Sequence, residues 1–204
     1  LDQTFQDWEL VLLDDCSPDQ SVNVIHTFRD SRLRLLRNRS NQGLVSARNR
    51  IMDESQGEFL AWLDQDDLAY KDRIATQVRF LDRNSHVSVC GSFTETLVQQ
   101  AALPSRARLQ VFPKNHHQIR AAMPFLNPMA CNTVMMRLAD FRERSFRFRP
   151  EFGNSLDYDM WSQASDRLLF ENIPHPLGVY RVHPQQTSQG AAIEVMHRTA
   201  IRIQ

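Results

Sequence analysis

The stretch from Phe59 to Asp67 joins a buried-strand pattern to an acidic cluster. Five apolar residues open it, and three carboxylates follow within four positions: Asp64, Asp66 and Asp67. An apolar run this short predicts a buried strand rather than a helix. Open α/β sheets bind ligands at the carboxyl ends of their strands, so the acids fall where a ligand is expected.

Three carboxylates so close together repel one another unless a positive charge lies among them. A divalent metal that carries a phosphorylated ligand would supply that charge, and hard oxygen ligands suit Mg²⁺ or Mn²⁺. The alternative is an acidic turn that caps the following helix, because Asp is common at turns and N-caps. This stretch alone leaves both interpretations open.

Composition predicts one ordinary globular domain. The 204 residues are 42% hydrophobic and 24% charged, which is enough for a single core. The formal net charge of zero gives no basic field, so we expect no nucleic-acid partner. Three widely spaced cysteines predict buried thiols in a reducing compartment: Cys16, Cys90 and Cys131. No apolar run approaches the roughly 20 residues of a membrane span.

Strand and helix patterns alternate through the first half of the chain. Strands are predicted at residues 9–13, 32–37, 59–63 and 87–91. Helical patterns lie between them, at residues 22–28, 44–57 and 71–83, and Ser17 is a candidate cap for the first of these. This alternation predicts a largely parallel, three-layer α/β sheet.

The pattern loosens after Gly91, and residues 99–128 hold four prolines and no clear strand. Further on, strands are predicted at residues 133–137, 168–173 and 177–182, and helices at 156–161 and 191–203. Residues 137–149 contain five arginines and three phenylalanines. Such a run could bind phosphate. The favoured interpretation is a solvated face from which some apolar residues pack into the core.

Several short motifs stand in a fixed order along the chain: Gln-Thr-Phe-Gln-Asp-Trp-Glu-Leu (3–10), Leu-Asp-Asp-Cys-Ser (13–17), Asn-Gln-Gly (41–43), Ala-Arg-Asn (47–49), Gly-Glu-Phe (57–59), Leu-Asp-Gln-Asp-Asp (63–67), Asn-Pro (127–128), Thr-Val-Met-Met-Arg (133–137), Leu-Asp-Tyr-Asp-Met-Trp (156–161) and Tyr-Arg-Val-His (180–183). This ordered set resembles the family 2 glycosyltransferases with the GT-A fold. The resemblance implies a three-layer sandwich with a mainly parallel central sheet. It also implies one domain over 1–204, with a nucleotide-binding half (1–91) and an acceptor-binding half (92–204) that includes the C-terminal helix.

The resemblance implies a metal-dependent, inverting glycosyltransferase of polysaccharide or glycoconjugate synthesis. Its donor would be a nucleotide-diphospho-sugar, its acceptor a saccharide or lipid-linked hydroxyl, and its cofactor Mn²⁺ or Mg²⁺. A metal that bridges carboxylates and diphosphate neutralises the charge of the leaving group. The implied location is the cytoplasm, including the inner face of the membrane if the parent chain associates peripherally.

The resemblance also assigns roles residue by residue. Asp157 matches the general base, which takes the proton of the acceptor hydroxyl. The remaining matches concern the donor and the metal: Asp15 on the nucleotide base, Arg48 beside the nucleotide, Asp64 toward ribose and metal, and Asp66 and His183 on the metal. Without the resemblance, these side chains would be interpreted as ordinary turn, surface-loop and helix-terminal residues.

Three features depart from the family pattern. The first strand of the family would precede Leu1, so we expect this chain to be a fragment without it. Leu156 stands where Glu is common, and Cys131-Asn132 stands where many members have His. A non-catalytic sugar-nucleotide- or glycan-binding module of the same fold is therefore the alternative function. A receiver-like signalling domain is a weaker alternative, because it does not explain Asp64-Gln65-Asp66 or the 156–161 segment.

Overall fold

The computed structural model describes residues 1–98 and 107–183. Its strands and helices follow one another in this order: β1 (Leu10–Asp14), α1 (Ser21–Ile25), β2 (Leu33–Arg37), α2 (Gly43–Glu54), β3 (Phe59–Ala61), β4 (Leu68–Ala69), α3 (Arg73–Arg83), β5 (Val87–Val98), β6 (Ala107–Gln110), α4 (His116–Ala122), β7 (Met135–Arg137), α5 (Leu138–Glu143), α6 (Leu156–Ala164) and β8 (Leu169–Val182). Two 3₁₀ segments, Cys131–Thr133 and Pro150–Ser155, precede β7 and α6. Within the described ranges, no helix is long and apolar enough to cross a bilayer. The helix predicted at 191–203 lies outside the described residues.

The strands form two hydrogen-bonded sheets. β1 and β2 pair in parallel, and the larger sheet has the order β3-β7-β5-β8-β4 with β6 beside β5. In the larger sheet β5 and β8 are parallel, whereas the β3–β7, β5–β7, β5–β6 and β4–β8 pairs are antiparallel. The α/β class is confirmed, but most of these pairings differ from the mainly parallel sheet that was predicted. The irregular segment before β7 sets the direction of that strand, and it carries no strand–helix alternation for a sequence pattern to follow.

Helices cover both faces of the larger sheet. Successive residues of a strand point to opposite faces, and β7 shows the division. Met136 packs into the larger core, which includes Phe141 of α5 and Trp161 of α6. Met135 packs into the smaller core, with Leu81 of α3. The predicted three layers are therefore present. β3 belongs to the sheet, which is the middle layer, and its carboxyl end leads into the acidic cluster.

Several element boundaries differ from the predictions for identifiable reasons. β3 ends at Ala61, and Leu63, which was predicted to lie in this strand, is 45% exposed. β5 continues to Val98 through polar residues that the core accepts, since the hydroxyl of Thr94 donates to the carbonyl of Gly178 at 3.0 Å. Strand prediction from apolar runs does not detect a threonine whose hydroxyl is hydrogen-bonded across the sheet.

The second half holds elements that the sequence did not predict. The strand β6 and the helix α4 lie inside the proline-containing region. The two strands predicted at 168–173 and 177–182 are one long strand, β8, whose register against β5 shifts around Phe93. The predicted cap at Ser17 is also corrected: α1 begins at Ser21, and the Ser17 amide instead donates to Asp14.

The arginine-rich run has a structural role that was not predicted. The guanidinium of Arg142 donates to three carbonyls at the end of α2, those of Met52, Asp53 and Ser55, at 2.5, 3.0 and 2.7 Å. A cation there satisfies the open carbonyls and complements the helix dipole. For this arginine, neither a solvated face nor phosphate binding is therefore the right description. The apolar part of the prediction is confirmed, since three rings of the run are buried: Phe141, Phe146 and Phe148.

Candidate active site

Arg48 lies at the centre of the candidate site. It projects from the second turn of α2, and its side chain is 12% exposed. Its Nη2 lies 3.1 Å from Oδ1 of Asp64, and its Nη1 lies 3.3 Å from the sulfur of Cys131. The guanidinium carbon lies 5.4 Å from the ring centres of both Trp62 and Phe148. Aromatic faces attract a cation and restrict its motion, so the positive charge is held at a fixed place.

Asp157 lies in the first turn of α6, close enough to Arg48 and Asp64 for both charges to act on its carboxylate. Its Oδ2 accepts a hydrogen bond of 2.8 Å from the side-chain amide of Asn127. Burial raises the pKa of Asp157, while the nearby Arg48 and the Asn127 amide oppose the rise and Asp64 adds to it. The structure therefore brings Arg48, Asp64 and Asp157 into one electrostatic neighbourhood.

The acidic segment after β3 is tied to the end of β8. The Nε2 atom of His183 lies 3.1 Å from Oδ2 of Asp66. The backbone amide of Arg181 donates to Oδ1 of Asp67 at 2.9 Å, and the Arg181 side chain donates to the carbonyl of Asp66. Two of the three residues that the resemblance placed on a metal, Asp66 and His183, are therefore in contact, while the third, Asp64, is paired with Arg48.

Asp67 is the least satisfied acid of this segment. It is 6% exposed, and its Oδ2 is buried with no hydrogen-bond partner in the described part of the chain. Burial, and then the charges of Asp64 and Asp66, raise its pKa to about 6, although the Arg181 amide and the side-chain amide of Asn132 oppose the rise. The Asn132 amide nitrogen is itself buried without a hydrogen bond of normal geometry in the described residues, so neither group is fully satisfied. A buried carboxylate oxygen without a donor favours a cation in its neighbourhood.

The donor set fits a metal that is shared with a substrate. Across residues 1–98 and 107–183, no group of three or more His, Cys, Asp or Glu side chains is arranged to hold a metal ion. Asp66 and His183 offer one oxygen and one nitrogen ligand at neighbouring positions. Mg²⁺ and related ions are commonly held by one or two protein ligands, with water and substrate phosphates completing the shell. Such a pair would hold a metal together with a diphosphate.

Asp15 lies in a separate hydrogen-bond network at the beginning of α2. Its carboxylate accepts from the Asn38 amide at 2.6 Å and from the backbone N–H groups of Gln42 and Gly43 at 2.9 and 2.7 Å. These donors, the Asn38 amide first, lower the pKa of Asp15. Gly43 has a φ of +82°, a conformation that favours glycine. Asp15 therefore fixes the start of the helix that carries Arg48.

The two departures within the second half have different surroundings. Leu156 is 2% exposed and packs in the larger core, so the position that commonly holds Glu carries a buried apolar side chain here. Cys131 lies inside the site, against Arg48. Burial raises the pKa of its thiol to about 12, so the sulfur is uncharged at neutral pH.

Four residues that position the site were not assigned roles from the sequence: Asn127, Trp62, Phe148 and Arg181. Asn127 stood in a motif that was noticed only for its order along the chain. The rings of Trp62 and Phe148 carry no local signal that they face an arginine, because that contact joins segments far apart in sequence.

A family model described as "Glycosyl transferase family 2" matches residues 1–146. The chain belongs to glycosyl transferase family 2. This confirms the resemblance drawn from the motif order. Curated relatives include an uncharacterized glycosyltransferase of Haemophilus influenzae, 30% identical over 195 residues, which cover 92% of this chain and 60% of the relative. The Escherichia coli UDP-Glc:alpha-D-GlcNAc-diphosphoundecaprenol beta-1,3-glucosyltransferase WfaP is 24% identical over 202 residues, covering 98% of this chain and 76% of WfaP.

Solved structures of other glycosyltransferases share the fold. S. aureus TarS 1-349 in complex with UDP-GlcNAc superposes with a TM-score of 0.75 at 21% identity, covering 98% of this chain and 59% of that one. The mannosyltransferase PcManGT from Pyrobaculum calidifontis, in complex with GDP-Man and Mn²⁺, gives 0.67 at 14% identity, covering 99% and 63%. These likenesses confirm the predicted GT-A fold. The chain spans about 60% of the length of the H. influenzae relative.

Proposed function

We propose that this family 2 chain transfers a sugar from a nucleotide-diphospho-sugar to an acceptor hydroxyl, with inversion at the anomeric carbon. One observation carries the proposal: the buried cation Arg48 pairs with Asp64 after β3 and also acts electrostatically on Asp157 at the start of α6. This arrangement combines a phosphate-binding charge with a carboxylate that can take a proton, and both are needed for glycosyl transfer.

The donor would bind on the side of Arg48 and Asp64. Arg48 would leave its ion pair with Asp64 in part and contact the diphosphate, for which a planar guanidinium is well suited. Asp15 would serve the nucleotide by fixing Gln42 and Gly43 at the start of α2. A base N–H that bound Asp15 directly would have to share an oxygen with the Asn38 amide.

A divalent metal would be held by Asp66 and His183, with Asp64 beside it. Bound there, Mn²⁺ or Mg²⁺ would neutralise the charge that develops on the leaving diphosphate. PcManGT provides a parallel in the same fold, because its structure contains GDP-Man and Mn²⁺ together. The orphaned Oδ2 of Asp67 and the close carboxylates support a cation at this place.

The acceptor would approach Asp157. Because its pKa is raised, this carboxylate holds a proton more strongly than an exposed one, which suits a general base. The neighbouring loop presents Phe125 and Leu126 to solvent, 86% and 52% exposed. An apolar edge beside the base supports a lipid-linked acceptor at the inner face of the membrane, and WfaP is named for a diphosphoundecaprenol-linked acceptor.

The substitution Asp157→Asn tests this proposal. Asn keeps the size of the side chain but cannot accept the proton, so transfer should fall by about 10²–10⁴-fold. Donor binding, measured as thermal stabilisation by a panel of nucleotide-sugars with Mn²⁺, should stay at the wild-type level because the donor contacts lie on other residues.

The exposed Asp72, in the loop before α3, offers a matched control, and Asp72→Asn should change neither quantity. Wild-type transfer by Asp157→Asn would contradict the role of this base. Donor binding by the wild type without transfer to any saccharide or lipid-linked acceptor would favour the non-catalytic binding module.

A further inference from the structure

The side-chain amide of Asn127 is fixed by two hydrogen-bond partners, one an acceptor and the other a donor. Its Nδ2 donates to Oδ2 of Asp157 at 2.8 Å, and its Oδ1 accepts from the backbone N–H of Met129 at 3.3 Å. A flipped amide would set an oxygen against the carboxylate and an NH₂ against an N–H. Both hydrogen bonds would then be lost, so the donor face of Asn127 must point to Asp157.

The loop that carries Asn127 is anchored to the sheet from behind. The side-chain amide of Asn172, on β8, donates to the carbonyl of Pro128 at 3.0 Å and to that of Pro113 at 2.7 Å. Asn172 is 3% exposed, and its Oδ1 lies 2.2 Å from where a Cβ on Gly91 would stand. Gly91 therefore leaves the space for Asn172, and Asn172 fixes the residue next to Asn127.

Several charges face Asp157 from the elements around it. Arg48 on α2 favours its ionised form, while Asp64 after β3 and burial disfavour that form. Cys131, in the 3₁₀ turn, adds no charge at neutral pH because burial raises the pKa of its thiol to about 12. Asn127 adds a hydrogen bond to the ionised carboxylate, and such bonds are stronger than those between neutral groups.

We infer that Asn127 is the positioning residue of the general base: its anchored amide binds Oδ2 of Asp157 and directs Oδ1 to the acceptor hydroxyl. This inference rests on the proposed function. Without the amide, the carboxylate would keep the backbone N–H of Tyr158 as its hydrogen-bond donor, would be held less firmly and would retain its proton to higher pH. At a given pH, a smaller fraction of the base would then be able to accept the acceptor's proton.

Two variants test this role. Asn127→Ala removes the donor, and Asn127→Asp keeps the shape and the acceptor for the Met129 N–H while it removes the donor and adds a charge. The second variant keeps the test valid if the first destabilises the loop. The control is Asn115→Ala, which removes an asparagine that accepts from the Gln118 N–H at 3.0 Å and caps α4.

Two readouts separate positioning from folding. The first is the carboxyl ¹³C NMR titration of Asp157 in the metal-free protein, and the second is the pH dependence of transfer at saturating donor and Mn²⁺. In Asn127→Ala, both the titration and the acid limb should move upward by about one pH unit, and Asn127→Asp should move them further. Transfer should recover as the pH rises, with the donor KM unchanged. Asn115→Ala should lower thermal stability and leave both curves in place.

The possible outcomes distinguish a failure of the inference about Asn127 from a failure of the proposed function. Transfer by the wild type with unmoved curves in both Asn127 variants would overturn the role of Asn127 and leave the proposed function standing. A moved NMR titration in a protein that transfers no sugar would support the contact but overturn the proposed function. Curves that move equally in Asn115→Ala would show a general loss of structure and overturn the inference.

Discussion

Two acidic segments follow strands in this protein, and their electrostatic states are opposite. In the first acidic segment, Asp14 and Asp15 at the end of β1, both carboxylates accept hydrogen bonds from several donors. Ser17 donates its backbone N–H to Asp14 at 3.0 Å, and three donors contact Asp15. Hydrogen bonds from Ser17 lower the pKa of Asp14, and those led by Asn38 lower the pKa of Asp15. This segment is satisfied by the protein itself.

The second acidic segment, Asp64 to Asp67 after β3, is less completely satisfied, although Arg48 donates to Asp64 and the Arg181 N–H to Asp67. Asp67 keeps a buried oxygen without a partner in the described residues, and burial first of all raises its pKa to about 6. Aspartates at the carboxyl ends of two strands therefore have different roles. Satisfied carboxylates organise a loop, whereas crowded and poorly satisfied ones favour a bound cation.

The largest expected effect is on turnover through the second segment. Asp66→Asn should lower transfer by at least about a hundredfold, because the metal would lose its carboxylate ligand. The free energy of unfolding should stay within about 0.5 kcal/mol of wild type, since the residue is partly exposed and crowded by like charges. Transfer assays and urea denaturation measure the two quantities, with Asp72→Asn as the charge-matched control. Wild-type turnover with Mn²⁺ would contradict a metal role for Asp66.

A substitution in the first acidic segment should affect the stability of the protein. Asp15→Ala removes the acceptor for the Asn38 amide and for two N–H groups at the start of α2. Loss of such a cap should lower the free energy of unfolding by about 1 kcal/mol. Chemical denaturation measures it, with the exposed Asp7→Ala as the control. If Asp15→Ala matched Asp7→Ala in stability, the first segment would not be structural.

The smallest effect concerns Asp67 and depends on pH. Its pKa is raised in the folded protein, so its ionisation lowers stability; this cost is complete above about pH 6, shrinks as the pH falls from the folded toward the unfolded pKa, and is lost only below the unfolded value. In metal-free buffer near pH 7.5, Asp67→Asn should therefore be more stable than wild type by on the order of 1 kcal/mol. Near pH 5 the difference should be about half as large, and it should vanish only near about pH 3, below the unfolded pKa. Thermal melts at these pH values measure it, and a gap that stayed constant would disprove the raised pKa.

Much of the fold followed from local patterns. The short apolar runs before Asp14 and Asp64 correspond to β1 and β3, and the periodic apolar residues of α2 and α3 correspond to helices. These elements bury one face against a common core, so their periodicity is written into the sequence. The direction of β7 and the length of β8 were not predictable, because they depend on pairings between distant segments.

The features of the candidate site likewise divide into those that local sequence patterns predict and those that depend on contacts between distant segments. Asp64, Asp66 and Asp157 were found because each follows a strand or opens a helix, and the motif order supplied their roles. The contact between Asn127 and Asp157 spans 30 residues, and the Arg181 link to Asp67 spans 114. No local rule connects such positions. The sequence also gave no sign that Asp15 is saturated by donors, because its acceptor capacity is filled by backbone N–H groups from another loop.

Mn²⁺ binding separates the two acidic segments most directly. Free Mn²⁺ can be counted by electron paramagnetic resonance while the ion is titrated into the protein with a nucleoside diphosphate present. Wild type and Asp15→Asn should bind one Mn²⁺ with similar affinity, and Asp66→Asn should bind it at least about tenfold more weakly. Equal affinity in wild type and Asp66→Asn, or a loss confined to Asp15→Asn, would contradict the assignment of the cation to the second segment.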